Sequence, residues 1–151
     1  MSKTIKQELY KLCLEYTNRR IESCRNAIAE AQTAANQETK SSSGDKYETG
    51  RAMAQLDIEK NANQLSESLR LRNALDQIRI GNSAGSVQAG SLVITDRGSF
   101  FIAISLGKVT LQNQTCFVIA PSSPLGLQLM GSKVGDTVVF KDQTYVVQDL
   151  I

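Results

Sequence analysis

Two carboxylates offer this chain its clearest chemistry. Residues 42 to 51 read Ser-Ser-Gly-Asp-Lys-Tyr-Glu-Thr-Gly-Arg, which sets Asp45 and Glu48 three residues apart. Carboxylates one helical turn apart suit Mg²⁺, which keeps several waters and takes one or two carboxylates together with phosphate oxygens. Such an ion stabilises the attacking and leaving oxygens of phosphoryl transfer and can supply a water as nucleophile. The same spacing also reads as a helix cap. A small polar residue followed three positions later by Glu resembles a capping box, here with Asp for Ser or Thr, and negative charge at a helix N-terminus is favourable by about 0.3 to 1 kcal/mol. On that reading Ser41, Ser42, Ser43 and Gly44 are only a flexible turn. Without a phosphate-bearing partner, the pair does no chemistry of its own.

The composition removes most other chemistry. Among 151 residues there is no histidine, which excludes imidazole-activated serine or cysteine nucleophiles and His-ligated metals. Cys13, Cys24 and Cys116 are odd in number and form no Cys-x-x-Cys pair, so neither a disulfide framework nor a thiolate zinc site is expected. Cys24 and Cys116 read as small core residues. No charged-then-apolar leader opens the chain and no apolar run approaches a membrane span, so the expected setting is the reduced cytoplasm, with no membrane partner and no small-molecule substrate. The net charge of +2 is unevenly spread: residues 1 to 80 hold 13 of the 17 Lys and Arg and 11 of the 15 Asp and Glu. A charged first half and an apolar second half imply two domains.

Two long helices must position the carboxylates. From Lys3 to about Asn36 there is no Pro or Gly, and Tyr10, Leu14, Thr17, Ile21, Cys24, Ile28, Ala31 and Ala35 recur at alternating spacings of four and three, the seam of a coiled coil. Ile5, Leu9, Leu12 and Tyr16 form a second stripe at the start, suited to anchoring the helix base. A run from about Lys46 to Arg79 carries Tyr47, Ala54, Ile58, Ala62, Leu65 and Leu69, with Leu75 and Ile78 near its end and Arg51 and Arg72 interrupting. Joined by a polar loop of roughly eight residues, the two runs predict an antiparallel hairpin with arms of about 50 Å and a turn near 38–50. Arg19, Arg20, Arg25, Arg70, Arg72 and Arg79 read first as a solvated face, and second as a basic flank touching nascent RNA.

Residues 81–90 are rich in Gly, Ser and Ala and read as a linker. Alternating, β-branched stretches follow at 91–95, 99–105, 116–120, 137–140 and 144–148, separated by turns at Asp96-Arg97-Gly98, Gly107-Lys108 and Lys141-Asp142. Ser123-Pro124 before an apolar run closed by Gly131 predicts a short helix with a Ser cap, Pro at its first position and Gly at its end. A small antiparallel sheet with one short helix is expected for 91–151, with Lys133 and Asp136 as turn residues.

In this order the elements resemble the Gre family of bacterial transcript-cleavage factors. The family's tip motif runs Gly-Asp-x-x-Glu-Asn-Ala-Glu-Tyr, and Gly44-Asp45-Lys46-Tyr47-Glu48 matches its first five positions. A second block, Phe117-Val118-Ile119, Ser123-Pro124-Leu125, Leu129-Met130-Gly131-Ser132-Lys133 and Gly135-Asp136-Thr137-Val138-Val139, is similar to the family's C-terminal pattern. The likeness implies an α+β fold: an antiparallel coiled-coil hairpin over 1–80, then an FKBP-like β domain. It implies docking on bacterial RNA polymerase through a surface holding Ser123, Pro124, Gly131, Lys133 and Asp136, with the hairpin inserted in the secondary channel. There Gly44, Tyr47 and Arg51 would shape the tip, while Asp45 and Glu48 would help hold a Mg²⁺ shared with the polymerase, which itself cleaves backtracked RNA. The chain would then be no enzyme and would need no cofactor in isolation.

Past Glu48 the pattern changes, with Thr49-Gly50-Arg51-Ala52 where the family has Asn-Ala-Glu-Tyr. An acid is absent, Arg51 lies one turn from the pair, and Gly50 costs a helix about 1 kcal/mol relative to Ala. A non-cleaving secondary-channel regulator or inhibitor on the same fold is therefore the alternative reading. A peptidyl-prolyl isomerase, suggested by the FKBP-like likeness, is the remote one, with Phe100, Phe101, Phe117, Phe140 and Tyr145 as its aromatic residues.

Overall fold

The computed structural model describes the backbone of residues 3–39, 44–81 and 85–151, and the side chains of these except 38, 39 and 44–48. Two long helices, α1 (Lys3–Thr39) and α2 (Gly44–Asp76), precede six strands and one short helix. Four residues separate α1 from α2, half the length expected for the connection. The fold is α+β, a long antiparallel helical hairpin followed by a β sheet, as the hydrophobic periodicity requires. Two compact units divide it, one of Met1–Leu14 with Ala74–Ile151 and the other of Glu15–Asn73. The division crosses both helices.

In the Glu15–Asn73 unit the heptad spacing decides what is buried. On α1 Thr17, Ile21 and Cys24 are buried and Ile28, Ala31 and Ala35 half-buried, matching the predicted seam. The α2 seam differs from its expected membership. Ala54, Ile58, Asn61, Leu65, Ser68 and Arg72 turn inward at spacings of four and three, while Ala62 is exposed and Leu69 is 42 % exposed. A strict 3.5-residue period starting at Ala54 selects Asn61 and Ser68 whatever their polarity. Each satisfies itself within its own helix: Asn61 Nδ2 donates to Asp57 O at 2.8 Å and Ser68 Oγ to Gln64 O at 2.8 Å. Arg72 Nε donates to Asn18 Oδ1 at 3.2 Å, which ties the end of α2 to α1 in antiparallel order.

The other unit is a six-stranded sheet, ordered β3-β4-β2-β1-β6-β5, with strands β1 (Leu92–Thr95), β2 (Gly98–Ile102), β3 (Gly107–Leu111), β4 (Gln114–Ile119), β5 (Thr137–Phe140) and β6 (Gln143–Leu150). It is mixed, not purely antiparallel. β2 and β4 run parallel, Ser99 beside Cys116 and Ile102 beside Ile119, because β3 intervenes and returns the chain in its original direction. β3 itself was read as a turn from Gly107-Lys108. That turn lies instead at Gln112-Asn113, with φ of 50° and 62°, and a matching one at Lys141-Asp142 has 49° and 62°. Positive φ at both central residues gives the twist that a two-residue hairpin needs.

Both faces of this sheet bury apolar side chains. Val93, Phe100, Ile102, Val138, Tyr145 and Val147 form one core with Val87 and with Leu129 of α3 (Pro124–Leu129). Leu92 and Phe101 alternate to the opposite face, and neither exposes any surface. The root of α1 belongs to the same unit, where Ile5, Leu9 and Cys13 are buried. Lys6 Nζ donates to Ile151 O at 3.0 Å, and Gln112 Nε2 to the Glu8 carboxylate at 3.3 Å. Gly90 packs closely against Ile78, two residues past the end of α2, and its φ of 93° and the 2.6 Å an added Cβ would leave to Ile78 Cγ2 both demand glycine. Residues 85–90 join the same unit, for Val87 N donates to Ser132 O at 2.8 Å and Gly131 N to Val87 O at 2.8 Å.

Candidate functional site

The first turns of α2 carry the carboxylate pair. α2 begins at Gly44, so Asp45, Glu48, Gly50 and Arg51 all have helical backbone. Asp45 thus stands inside the helix, one residue after its start, at the end where unpaired backbone N–H groups collect. The side chains of Gly44–Glu48, and with them the capping box and the carboxylates' approach to one another, lie outside the described residues, as do Ser41, Ser42 and Ser43. Thr49 and Arg51 are exposed and Gly50 is half-buried. Among the described residues no group of three His, Cys, Asp or Glu is arranged to hold a metal ion. The chemistry of the donor set suits a shared Mg²⁺, since two carboxylates alone leave most of its coordination to water and phosphate.

The predicted docking residues form α3 and the turn after it. Ser123 is the N-cap: its Oγ accepts from Gly126 N at 3.1 Å and donates to Ala120 O at 2.6 Å, while Pro124 fills the first helical position. Gly126 has no room for a side chain, as an added Cβ would stand 2.2 Å from Ala120 O. Gly131 follows with φ of 83°. Asp136 Oδ2 then accepts from Lys133 N at 2.8 Å, and Asp136 N donates back to Lys133 O at 2.9 Å. Lys133 and Asp136 therefore close a turn, leaving the Lys133 side chain exposed. Around them Leu127, Met130 and Val134 expose 63, 37 and 57 % of their surface.

Three arginines of the hairpin unit, Arg19, Arg20 and Arg72, are engaged locally. Arg20 lies 5.7 Å from the Tyr16 ring centre with Nη1 donating to Tyr16 Oη at 3.5 Å, and Arg19 Nε reaches Glu15 O at 3.4 Å. With Arg72 on Asn18, these contacts favour the reading as a structured, solvated face. The three cysteines are free thiols and all buried. Burial pushes Cys13 up to about 12, with Cys116 nearby as a second cause, and pushes Cys116 up to about 11. Such thiols are inert towards nucleophilic chemistry at neutral pH.

No family model matches the chain, and no curated protein does. Among solved structures it is similar to "GreA factor homolog 1 (Gfh1) protein of Thermus thermophilus", at 18 % identity over 91 % of this chain and 94 % of that one, with a TM-score of 0.35. No helix among the described residues is long and apolar enough to cross a membrane.

Proposed function

We propose that the chain is an RNA-polymerase-binding transcription elongation factor of the Gre type, which stimulates cleavage of backtracked RNA by the polymerase. The observation that carries this reading is positional: Gly44-Asp45-Lys46-Tyr47-Glu48 begins the second helix of an antiparallel hairpin whose chain continues into a β unit. Backbone N–H groups at that helix end favour ionised carboxylates. Asp45 and Glu48 then offer oxygens to a cation already held by the polymerase and the RNA phosphates. That Mg²⁺, when bound, would lower the barrier by neutralising charge on the phosphoryl oxygens. The role of the chain is to place two anions and to exclude bulk water from the reacting phosphate. Its sheet unit supplies the docking surface.

The second reading keeps partner and fold and omits cleavage, and Gly50 and Arg51 favour it. Glycine inside α2 weakens its first turns, and a guanidinium one turn from Glu48 competes with a metal ion for that carboxylate. Stalled elongation complexes of the cognate polymerase, supplied with Mg²⁺ and followed at the RNA 3′ end, separate the two. Shortening that is abolished by Asp45→Ala and Glu48→Ala is expected. Shortening that either variant leaves unchanged, or none at all beside retained polymerase binding, selects the non-cleaving regulator. A null result in a proline-peptide isomerisation assay disposes of the isomerase reading.

A further inference from the structure

The core face of the sheet is covered by α3 only towards one end, and the uncovered end has an unusual composition. Phe117, 37 % exposed, stacks on Phe100 with ring centres 5.8 Å apart, and Phe100 meets Tyr145 edge-on at 6.0 Å. Three cations frame this aromatic floor. Lys108 is the direct cross-strand neighbour of Phe117 on β3, Arg97 stands 6.0 Å from the Tyr145 ring centre, and Lys141 lies 5.4 Å from the ring centre of Phe140. All three are exposed. Arg97 and Lys141 sit in turns at one end of the sheet, joined by Arg97 Nε donating to Thr144 O at 2.7 Å, while Lys108 lies on β3 four residues before the Gln112-Asn113 turn at that end.

We propose that this surface binds single-stranded RNA, with a base stacked on Phe117 and phosphates on Lys108, Arg97 and Lys141. Aromatic faces accept any base, and cations along a groove follow a phosphate backbone. Their arrangement as a row distinguishes a strand from a mononucleotide. Lys108 and Lys141 belong to opposite edges of the six-stranded sheet, and strands lie about 4.8 Å apart, so the row extends up to about 24 Å. Two acids share these turns. Asp96 is turned inward, its Oδ1 accepting from Val146 N at 2.8 Å, and Asp142 is exposed, which leaves the row with an excess of positive charge. The surface is separate from the hairpin arginines, and the choice of RNA over DNA rests on the proposed place at a polymerase.

The test is fluorescence anisotropy of a labelled eight-residue uridine oligomer with the full chain and no polymerase. Saturable, salt-sensitive binding is expected, weakened about fivefold or more in Phe117→Leu, the loss of one stacked base. The triple variant Arg97→Gln, Lys108→Gln, Lys141→Gln, which removes no packed ring, should reduce the slope of log affinity against log salt by about 2. Absence of binding, affinity unaltered in both variants, equal or tighter binding of the thymidine oligomer, or binding of a proline-containing peptide in place of RNA would each overturn the inference. Polymerase binding measured on the unaltered chain keeps the two claims apart, since absence of RNA binding with polymerase binding retained defeats this one alone.

Discussion

The two compact units of this molecule are built on opposite terms. Of the largest fully buried side chains, Phe101, Leu9, Leu75, Leu92, Ile102, Ile104, Leu129, Val93, Val118, Val147 and Cys13 lie in the sheet unit, and only Thr17 lies in the Glu15–Asn73 hairpin unit. The hairpin seam holds Thr17, Asn61, Ser68 and Arg72 where a tight coiled coil would hold Leu and Ile. Stability is therefore concentrated in the unit that docks, in this account, and is thin in the unit that carries the carboxylates. A two-helix element has no enclosed core, and the depression lined by Arg19, Glu22, Asn26 and Glu30 is open to solvent. In the proposed function its contribution is to deliver groups at its turn into a site completed by another molecule.

The largest expected effect breaks the richer unit. Phe101→Ala should cost about 3 to 5 kcal/mol in urea unfolding, because an aromatic ring with no exposed surface leaves a cavity. Ile58→Ala in the half-buried hairpin seam should cost less than about 1.5 kcal/mol by the same measurement. Equal losses would erase the contrast.

Next comes a pH dependence confined to the sheet unit. Cys13 and Cys116 titrate at about 12 and 11 when folded, against 9.0 for an unperturbed thiol, so above that value the unfolded chain binds fewer protons and stability falls. The two together should remove about 2 to 3 kcal/mol between pH 8 and 10, seen as a falling midpoint that Cys13→Ala halves. Lys6, whose burial lowers its pKa, acts in the opposite sense over the window below 10.5 and blunts the decline.

The smallest effects differ in sign between the units. Thr95 Oγ1 donates to Gly98 O at 2.8 Å and accepts from Arg97 N at 3.1 Å, so Thr95→Val should destabilise the sheet by about 1 to 2 kcal/mol. Ser68 only bonds back along its own helix, and Ser68→Ala should stabilise the hairpin by about 0.5 kcal/mol through helix propensity. Chemical denaturation followed by far-ultraviolet circular dichroism reads both.

The difference between the units also decides what the sequence could tell. Local signals were read well: the seam of α1, the Ser123-Pro124 start and Gly131 end of α3, and the Lys141-Asp142 hairpin all depend on residues close in sequence. The α2 seam was misassigned because an apolar criterion prefers Ala62 and Leu69, whereas the continuing heptad places Asn61 and Ser68 inward. Strand β3 was missed because Gly107-Lys108 looks like a turn and an edge strand needs little apolar content. The parallel pairing of β2 with β4 is a long-range choice with no local mark. Cys13 belongs to neither predicted stripe yet is buried, four residues from both Leu9 and Thr17. At the tip, sequence supplied the residues Asp45 and Glu48, and the backbone supplies their place in the first turns of α2.

The central claim is that this turn reaches a polymerase's catalytic centre, and a single cross-link tests it most directly. Because Cys13, Cys24 and Cys116 are buried and Thr49 is exposed, Thr49→Cys introduces one accessible thiol in the first turns of α2, which a photoactivatable reagent can label selectively. With stalled elongation complexes of the cognate polymerase, the account predicts cross-links to polymerase segments bordering the catalytic Mg²⁺ or to the extruded RNA 3′ end, lost when unlabelled protein is added in excess. Cross-links confined to the outer surface of the polymerase, or none under conditions where the protein binds, would contradict it.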